Sequence, residues 1–199
     1  PVDVNIVTGK GVAALGTGDR DTLDALALDV SSRTLIIRMR QSAPLGGSGG
    51  RARAPTRLVV TTGDMRRATL SGAGTLTVDR LKAAQTEATL RGSGTLTVGR
   101  IEADRLDLGV LGAGTLVVSS GSVLEMVAAA SGSGRIDTTG LDAQRLRVGA
   151  EGSVDVQMKG IREADIAASG SGRVTVIGKA QCSVRKVGNA ILSCSGQSY

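Results

Sequence analysis

Hydrophobic and polar side chains alternate along most of the chain, in short runs that pairs of glycines interrupt. The stretch "VLGAGTLVV" at 110–118 shows the pattern. Before the glycines every second residue is hydrophobic, as at Leu108 and Val110, and the alternation resumes afterwards at Leu116 and Val118. Because successive side chains of a strand point to opposite faces, each run predicts a β-strand with one buried face.

The glycine pairs recur at a nearly fixed spacing. Their first glycines stand twenty residues apart and then eighteen: Gly72, Gly92, Gly112, Gly132, Gly152, Gly170 and Gly188. A further hydrophobic column lies nine residues after the glycine, at Leu81, Ile101, Leu141 and Ile161. Each repeat is therefore a strand, a glycine corner, a second strand and an apolar bend. We call the strand before the corner the B strand and the strand after it the A strand.

A unit of twenty residues with two short strands cannot cover its own hydrophobic face, so successive units must stack. The sequence predicts an all-β protein, a parallel β-helix-like solenoid with coils of about twenty residues. We expect one domain over 1–199, with regular repeats at 66–199. A helical alternative is disfavoured because Gly, Thr and Val are frequent and a 3.6-residue period is absent.

The first 65 residues are less regular. They contain strand-like runs at 2–7, 26–30, 34–39 and 57–62. We interpret this part as irregular N-terminal coils that begin the same solenoid. A Gly/Arg-rich segment at 46–56 predicts a disordered loop, since it offers almost nothing to bury.

The paired glycines do not match known ligand-binding loops. A dinucleotide-binding turn needs a third glycine and a helix behind it, whereas here a strand follows directly. A calcium-binding turn needs carboxylates, but Ala, Ser, Gly, Thr and Leu follow Gly72, Gly92 and Gly112. The corners are therefore predicted to be structural, with glycine supplying a positive φ or room for the next coil.

Composition narrows the chemistry further. The chain has no His, no Phe and no Trp, one Tyr and two Cys. Without His, the Ser-His-Asp and Cys-His mechanisms and His-ligated metals are excluded, and two cysteines cannot form a four-thiolate zinc site. We expect no catalytic residue, cofactor or metal. The net charge of +6 is scattered and lacks aromatic partners for bases, so nucleic acid is not an expected ligand.

No hydrophobic run reaches the roughly 20 residues that a membrane-spanning helix needs. The chain starts at Pro1 rather than Met. Removal of a signal peptide is compatible with this start, although nothing in the chain shows one.

The recurring "GSG" or "GAG" followed by "TLTV"-like strands resembles the head GIN domain of auto-transporter adhesins. The resemblance covers about 56–196 clearly and the first third loosely. It implies a right-handed β-helix, export beyond the inner membrane of a Gram-negative bacterium to the periplasm, outer membrane or surface, and a role in adhesion. It implies no catalytic residues. The chain departs from the pattern at Val154, which replaces the second glycine of its pair, and we expect a differently shaped corner there.

Cys182 lies six residues before Gly188 and Cys194 lies six residues after it. These are matching inward positions on the two strands of the last coil. We expect a disulfide between them, as the export implied by the resemblance also favours. Two buried free thiols are the alternative.

Two outward surfaces are candidates for interaction. The A strands carry outward threonines at Thr75, Thr77, Thr95, Thr97 and Thr115. These resemble the flat arrays of ice-binding solenoids, but Thr also simply favours strands. The middle B strands carry a smooth strip of small and hydrophobic residues that includes Leu111, Val127 and Ala129. That strip is either an interface with a protomer or partner, or is covered by the N-terminal segment.

Three function classes remain open. We favour a non-enzymatic binding or adhesion module of the cell envelope, with an unknown surface ligand and with homo-oligomers as an option. A structural scaffold that assembles end to end is the first alternative. The other is a polysaccharide-processing solenoid enzyme, for which Arg135, Asp137, Asp155 and Arg173 line up on the outer A strands. Lys186, expected to point inward in the last coil, argues for a closed end and against the scaffold.

Overall fold

The computed structural model describes residues 2–9, 11–31, 34–39 and 56–199. This part of the chain is nearly all-β and forms a solenoid of about six stacked turns, which confirms the predicted fold class. The elements are β1 Val2–Thr8, β2 Ala13–Thr17, α1 Arg20–Asp24, β3 Leu26–Ser31, β4 Thr34–Met39, β5 Thr56–Thr62, β6 Arg67–Gly72, β7 Thr75–Lys82, β8 Gln85–Gly92, β9 Thr95–Glu102, β10 Arg105–Gly112, β11 Thr115–Val118, β12 Gly121–Gly132, β13 Arg135–Gly152, β14 Asp155–Gly170, β15 Arg173–Gly178, β16 Gln181–Gly188, β17 Ile191–Cys194 and β18 Gln197–Ser198.

Parallel strands stack in two long ladders. The A ladder contains, in spatial order, β5, β1, β7, β9, β11, the first parts of β13 and β14, β15 and β17. The B ladder contains β6, β8, β10, β12, the later parts of β13 and β14, and β16. Equivalent repeat positions pair directly, so that Leu76, Leu96 and Leu116 form one column. Inward columns of this kind make up the hydrophobic core.

The corner glycines meet two separate demands. Gly92 has a φ of +116°, a region that side chains rarely adopt. A Cβ on Gly92 would also lie 2.6 Å from the carbonyl oxygen of Gly72 in the preceding coil, far inside van der Waals contact. The positive φ recurs at every regular corner, and the close approach recurs at all of them except the first, Gly72, which has no preceding corner beneath it. Both features fit the predicted structural role of these glycines.

Val154 alters its corner less than expected. The amide of Ser153 still donates to the Gly132 oxygen at 2.8 Å, and the amide of Asp155 donates to the Gly134 oxygen at 3.0 Å. Those are the same hydrogen bonds that the preceding corner makes, and the Val154 side chain is buried. The corner at Val154 therefore keeps the hydrogen bonds of a regular corner, and they show no sign of the predicted change of shape.

The apolar bend forms a third, short ladder that the alternation did not predict. The ends of β7 and β9, the start of β12 and the middle of β13 pair in this order. Leu81, Ile101 and Leu141 are buried there. Gly121 stands in the same column with a φ of +135°, and a side chain at that position would collide with the Ile101 backbone. We call this short stack the C ladder; it gives each central coil three sides.

The N-terminal third departs from simple coils. All four predicted strands are present, but β1 inserts between β5 and β7 instead of preceding them in chain order. β2 pairs antiparallel with β5 and ends the A ladder. β3 and β4 form a separate antiparallel hairpin, from which Leu35 and Ile37 pack against the core. The interpretation of this region as a series of first coils is thus wrong for Leu26–Ser31 and Thr34–Met39.

Two short elements of this region were not predicted. β2 lies at 13–17, and α1 begins after Asp19, whose carboxylate accepts from the Thr22 amide at 3.0 Å. Positions 46–55 of the Gly/Arg-rich segment lie outside the described residues, while Thr56 already begins β5.

The last coil lies at the other end of the stack and carries a disulfide. Cys182 in β16 and Cys194 in β17 form the expected disulfide, with their Cα atoms 6.4 Å apart. β18 folds back antiparallel onto β17 and ends the A ladder. Lys186 does not point into the core as expected: it is exposed, and its Nζ donates to the Tyr199 carbonyl oxygen at 3.0 Å. Within the described ranges, no helix is long and apolar enough to cross a membrane.

Candidate binding faces

The outward threonines come together on one face of the A ladder. Thr75, Thr95 and Thr115 pair in register, as do Thr77 and Thr97, with Val117 completing the second row. All five threonines are half-buried. In such a ladder, neighbouring strands lie about 4.8 Å apart and residues two apart along a strand lie about 6.7 Å apart. The result is a regular polar lattice, which we call the A face.

The N-terminal strand enlarges this face. β1 places Asp3 beside Thr75 and Asn5 beside Thr77, and β5 adds Arg57 next to Asp3. These five residues and Val4 line a shallow depression of about 300 Å³. The A face therefore continues beyond the regular repeats into a more strongly polar end.

Asp3, Asn5 and Arg57 were missed as candidate site residues. A signal for them exists in the sequence: "DVNI" at 3–6 and "RLVV" at 57–60 follow the same outward-inward alternation as "TLTV" at 75–78. What the alternation cannot specify is which strand each of these pairs with. Their position beside the threonines follows only from the insertion of β1 between β5 and β7.

Charged side chains replace the threonines at the other end of the A face. Arg135 contacts Asp155 at 2.7 Å and Asp137 at 3.7 Å. Asp137 also accepts from the hydroxyl of Thr139 at 2.8 Å. Arg173 pairs in register with Asp155. The four residues considered for a solenoid enzyme thus lie together, but Arg135 already bridges the two carboxylates.

The smooth strip on the B ladder is exposed. The side chain of Leu111 is 51% accessible, Ala129 is exposed and Val127 is half-buried. No part of the chain that the structure describes covers Leu111 or Ala129, so covering by the described N-terminal strands is not found. The use of this strip as an interface stays a prediction.

Ion pairs line the start of the same B strands. Arg105 contacts Asp107 at 3.0 Å and Glu125 at 3.3 Å, and Arg147 contacts Glu125 at 3.1 Å. Partial burial of Asp107 raises its pKa, but hydrogen bonds from Arg105 and Gln85 outweigh burial, so this pKa lies below its ordinary value. These carboxylates therefore form ion pairs that link neighbouring strands of the B ladder.

The C ladder carries a broad open groove of about 820 Å³. Glu102 stands in it between Lys82 at 3.4 Å and Arg100 at 3.2 Å. The hydrogen bond from Lys82 holds the pKa of the Glu102 carboxyl below its usual value, against a smaller opposing effect of desolvation. A carboxylate that is kept ionised in this way is a poor proton donor near neutral pH. Among the described residues, no group of three His, Cys, Asp or Glu side chains could hold a metal ion.

The chain matches one known protein family. The sequence model of one family, described as "putative auto-transporter adhesin, head GIN domain", matches residues 1–180. A search of curated proteins finds no match to the chain.

Solved structures from Bacteroides and Parabacteroides have the same fold. A putative adhesin from Bacteroides fragilis NCTC 9343 aligns with a TM-score of 0.76 at 16% identity, covering 96% of this chain and 87% of that one. A putative lipid binding protein from Parabacteroides distasonis ATCC 8503 gives 0.74 at 18% identity, with 96% and 88% covered. A putative adhesin from Parabacteroides merdae ATCC 43184 gives 0.64 at 14% identity, with 96% and 87% covered. At these identities the likeness concerns the fold alone.

Proposed function

Because the chain belongs to the head GIN domain family of auto-transporter adhesins, we propose that it is a non-enzymatic binding module of the cell envelope whose A face holds the ligand. The family and the structural neighbours are named for adhesion or lipid binding. Neither name specifies a ligand for this chain, so the chemistry of the face has to indicate one.

The main support for this proposal is that the threonine hydroxyls of the A face are free to bind a ligand. None of the five hydroxyls at Thr75, Thr77, Thr95, Thr97 and Thr115 makes a hydrogen bond to another described residue. They are held on paired strands, so a ligand that uses them does not have to order a flexible loop. Each hydroxyl can both donate and accept. The face thus offers a rigid array of unused hydrogen-bonding groups at regular spacing.

A repetitive polar polymer fits such an array best. A polysaccharide presents hydroxyls at regular intervals, and each contact with one row would be weak because no aromatic side chain stacks on the sugar rings. Several weak contacts made together add up to useful affinity. We therefore propose a surface polysaccharide as the ligand class.

The capped ends of the A ladder favour a binding module over a self-assembling scaffold. At one end β2 runs antiparallel to β5, and at the other β18 runs antiparallel to β17. A second copy could not extend the A ladder with parallel strands unless one of these caps moved.

An extracytoplasmic location accords with the disulfide. Cys182 and Cys194 are bonded, and such bonds persist in oxidising compartments. Cell fractionation with thiol labelling tests this part: we expect the protein in an envelope fraction with both cysteines protected. Recovery from the cytoplasm with both thiols reactive would contradict the location.

The ligand class is tested with immobilised bacterial and host polysaccharides. We expect wild-type protein to be retained by at least one of them. Thr95→Val with Thr97→Val should weaken that retention about tenfold, because two hydrogen-bonding groups at the centre of the face are lost. The matched control is Thr69→Val with Ser183→Ala, which removes two exposed strand hydroxyls from the B ladder and should change retention less than twofold.

Two results would count against the A face. One is equal weakening by both double variants, which would indicate a general effect on the fold. The other is wild-type retention that the Thr95→Val and Thr97→Val pair leaves unchanged. Thermal hysteresis of ice growth by the wild-type protein, lost in that pair, would instead indicate ice binding.

A further inference from the structure

Charge is unevenly distributed along the axis of the solenoid. Residues 101–165 contain ten Asp or Glu and six Lys or Arg, so the middle coils carry a net charge of −4. Residues 166–199 contain four Lys or Arg and no Asp or Glu, a net side-chain charge of +4. Because the coils stack in chain order, this division in the sequence becomes a basic end on the molecule.

The four cations surround the last coils on all three sides. Arg173 points outward on the A ladder, Lys179 stands in the bend before β16, and Arg185 lies outward on the B ladder. Lys186 lies at the open edge of β16, where its Nζ caps the Tyr199 oxygen. All four residues are exposed. Neighbouring rows are about 4.8 Å apart, so the charges lie within about 10 Å of the end.

Within the described part of the chain, none of these four cations forms an ion pair with an Asp or Glu side chain. The middle coils differ, since Arg135, Arg105 and Arg147 each contact a carboxylate. The basic end is therefore a surface with uncompensated charge, and not a network of ion pairs.

Hydrophobic side chains stand among the cations at this end. Val187 is 71% exposed, Ile191 is 55% exposed and Tyr199 is 45% exposed. Isolated hydrophobic residues on a surface are ordinary, but here they share the last coil with Arg185 and Lys186. Basic residues together with exposed hydrophobic ones are the combination that binds the surface of an anionic bilayer.

We propose that the C-terminal end of the solenoid, formed by Arg173, Lys179, Arg185, Lys186, Val187 and Ile191, docks end-on to an anionic phospholipid surface. The cations surround the end on three sides and do not line a cleft, which matches a plane better than an extended acidic peptide. End-on docking leaves the side of the solenoid, including the A face, directed away from the bilayer plane. The two surfaces are separate, so each proposal can fail without the other.

Vesicle co-sedimentation of the full chain tests the proposal. The probe is a vesicle of 30% phosphatidylglycerol in phosphatidylcholine, compared with phosphatidylcholine alone. We expect clear partitioning to the anionic vesicles in low salt, loss of most of it at high salt because charges are screened, and little partitioning to the neutral ones. A lysine or arginine near such a surface contributes about fivefold in partitioning.

Two double variants with the same change in net charge locate the contact. Lys179→Gln with Arg185→Gln should lower partitioning by about 25-fold. Arg66→Gln with Arg91→Gln removes two exposed charges near the start of the regular repeats and should change partitioning less than threefold. Circular dichroism of both variants should match that of the wild type.

Three outcomes would overturn the proposal. They are equal partitioning to neutral and anionic vesicles, equal losses in the two double variants, and binding to immobilised polyglutamate without binding to vesicles. The last result would assign the basic end to an acidic protein partner.

Discussion

Thr138 shows how a single residue can depart from its column. Its side chain is fully buried in the A ladder, and its hydroxyl has no hydrogen-bond partner. The apolar Met158 lies beside it in the next coil. A buried hydroxyl without a partner costs roughly 1–3 kcal/mol relative to an apolar side chain of the same shape. The residue is thus a weak point in an otherwise hydrophobic column.

Thr138→Val should therefore stabilise the protein. The two side chains have nearly the same volume, so the change removes the unpaired hydroxyl without creating a cavity. We expect the free energy of unfolding to rise by about 1 kcal/mol in urea titrations.

Thr86→Val is the matched control for that substitution. Thr86 is equally buried, but its hydroxyl donates to the Arg105 carbonyl oxygen at 3.4 Å. Removal of this hydroxyl should give a smaller gain or a loss. A destabilised Thr138→Val variant would show that the hydroxyl has a partner, such as an internal water.

At the scale of the elements, the disulfide compensates for a missing neighbour. Every inner strand of the B ladder pairs on both sides, whereas β16 pairs only with β14 among the described strands. Val184 is correspondingly only half-buried, while Ile166 beside it in β14 is buried. The bond between Cys182 and Cys194 ties this exposed strand to β17.

The substitution Cys182→Ser with Cys194→Ser should loosen the last coil selectively. The bond closes a loop with a sequence separation of 12 residues, for which chain entropy predicts a loss of about 3 kcal/mol. We expect faster amide hydrogen exchange in β16 and β17, with β9 unchanged as an internal reference. Unchanged exchange in β16 would show that packing alone holds the end.

The regular coils could be predicted from the sequence because the signals that define them lie within one or two repeats of the chain. Alternation around Gly92 and Gly112 identifies the strands, and the fixed spacing identifies their stacking partners. The C ladder was missed because two or three residues per coil are too few to show alternation. The insertion of β1 was missed for another reason: its partners in β5 are more than fifty residues away, and nothing in "VDVNIV" specifies that distance.

Each surface of the solenoid has a different chemistry. The A face presents free hydroxyls, the B ladder presents ion pairs and a smooth strip at Leu111 and Ala129, and the C-terminal end is basic. The threonines and the smooth strip could be predicted from the sequence, because both lie within the regular repeats. The polar extension by Asp3, Asn5 and Arg57 needed the three-dimensional pairing.

A steric block of the A face tests whether this face holds the ligand. Arg135 occupies the same row as Thr95 and Thr115, so the ladder already accommodates an arginine at this position. Thr95→Arg should fold normally and place a long side chain across the centre of the lattice. The control is Thr69→Arg on the B ladder, in the row where Arg185 occurs naturally.

The measurement is the affinity of both variants for the polysaccharide that retains the wild-type protein. If the A face holds the ligand, Thr95→Arg should abolish measurable binding, while Thr69→Arg should bind within twofold of the wild type. Undiminished binding by a correctly folded Thr95→Arg variant would show that the ligand does not bind at the A face.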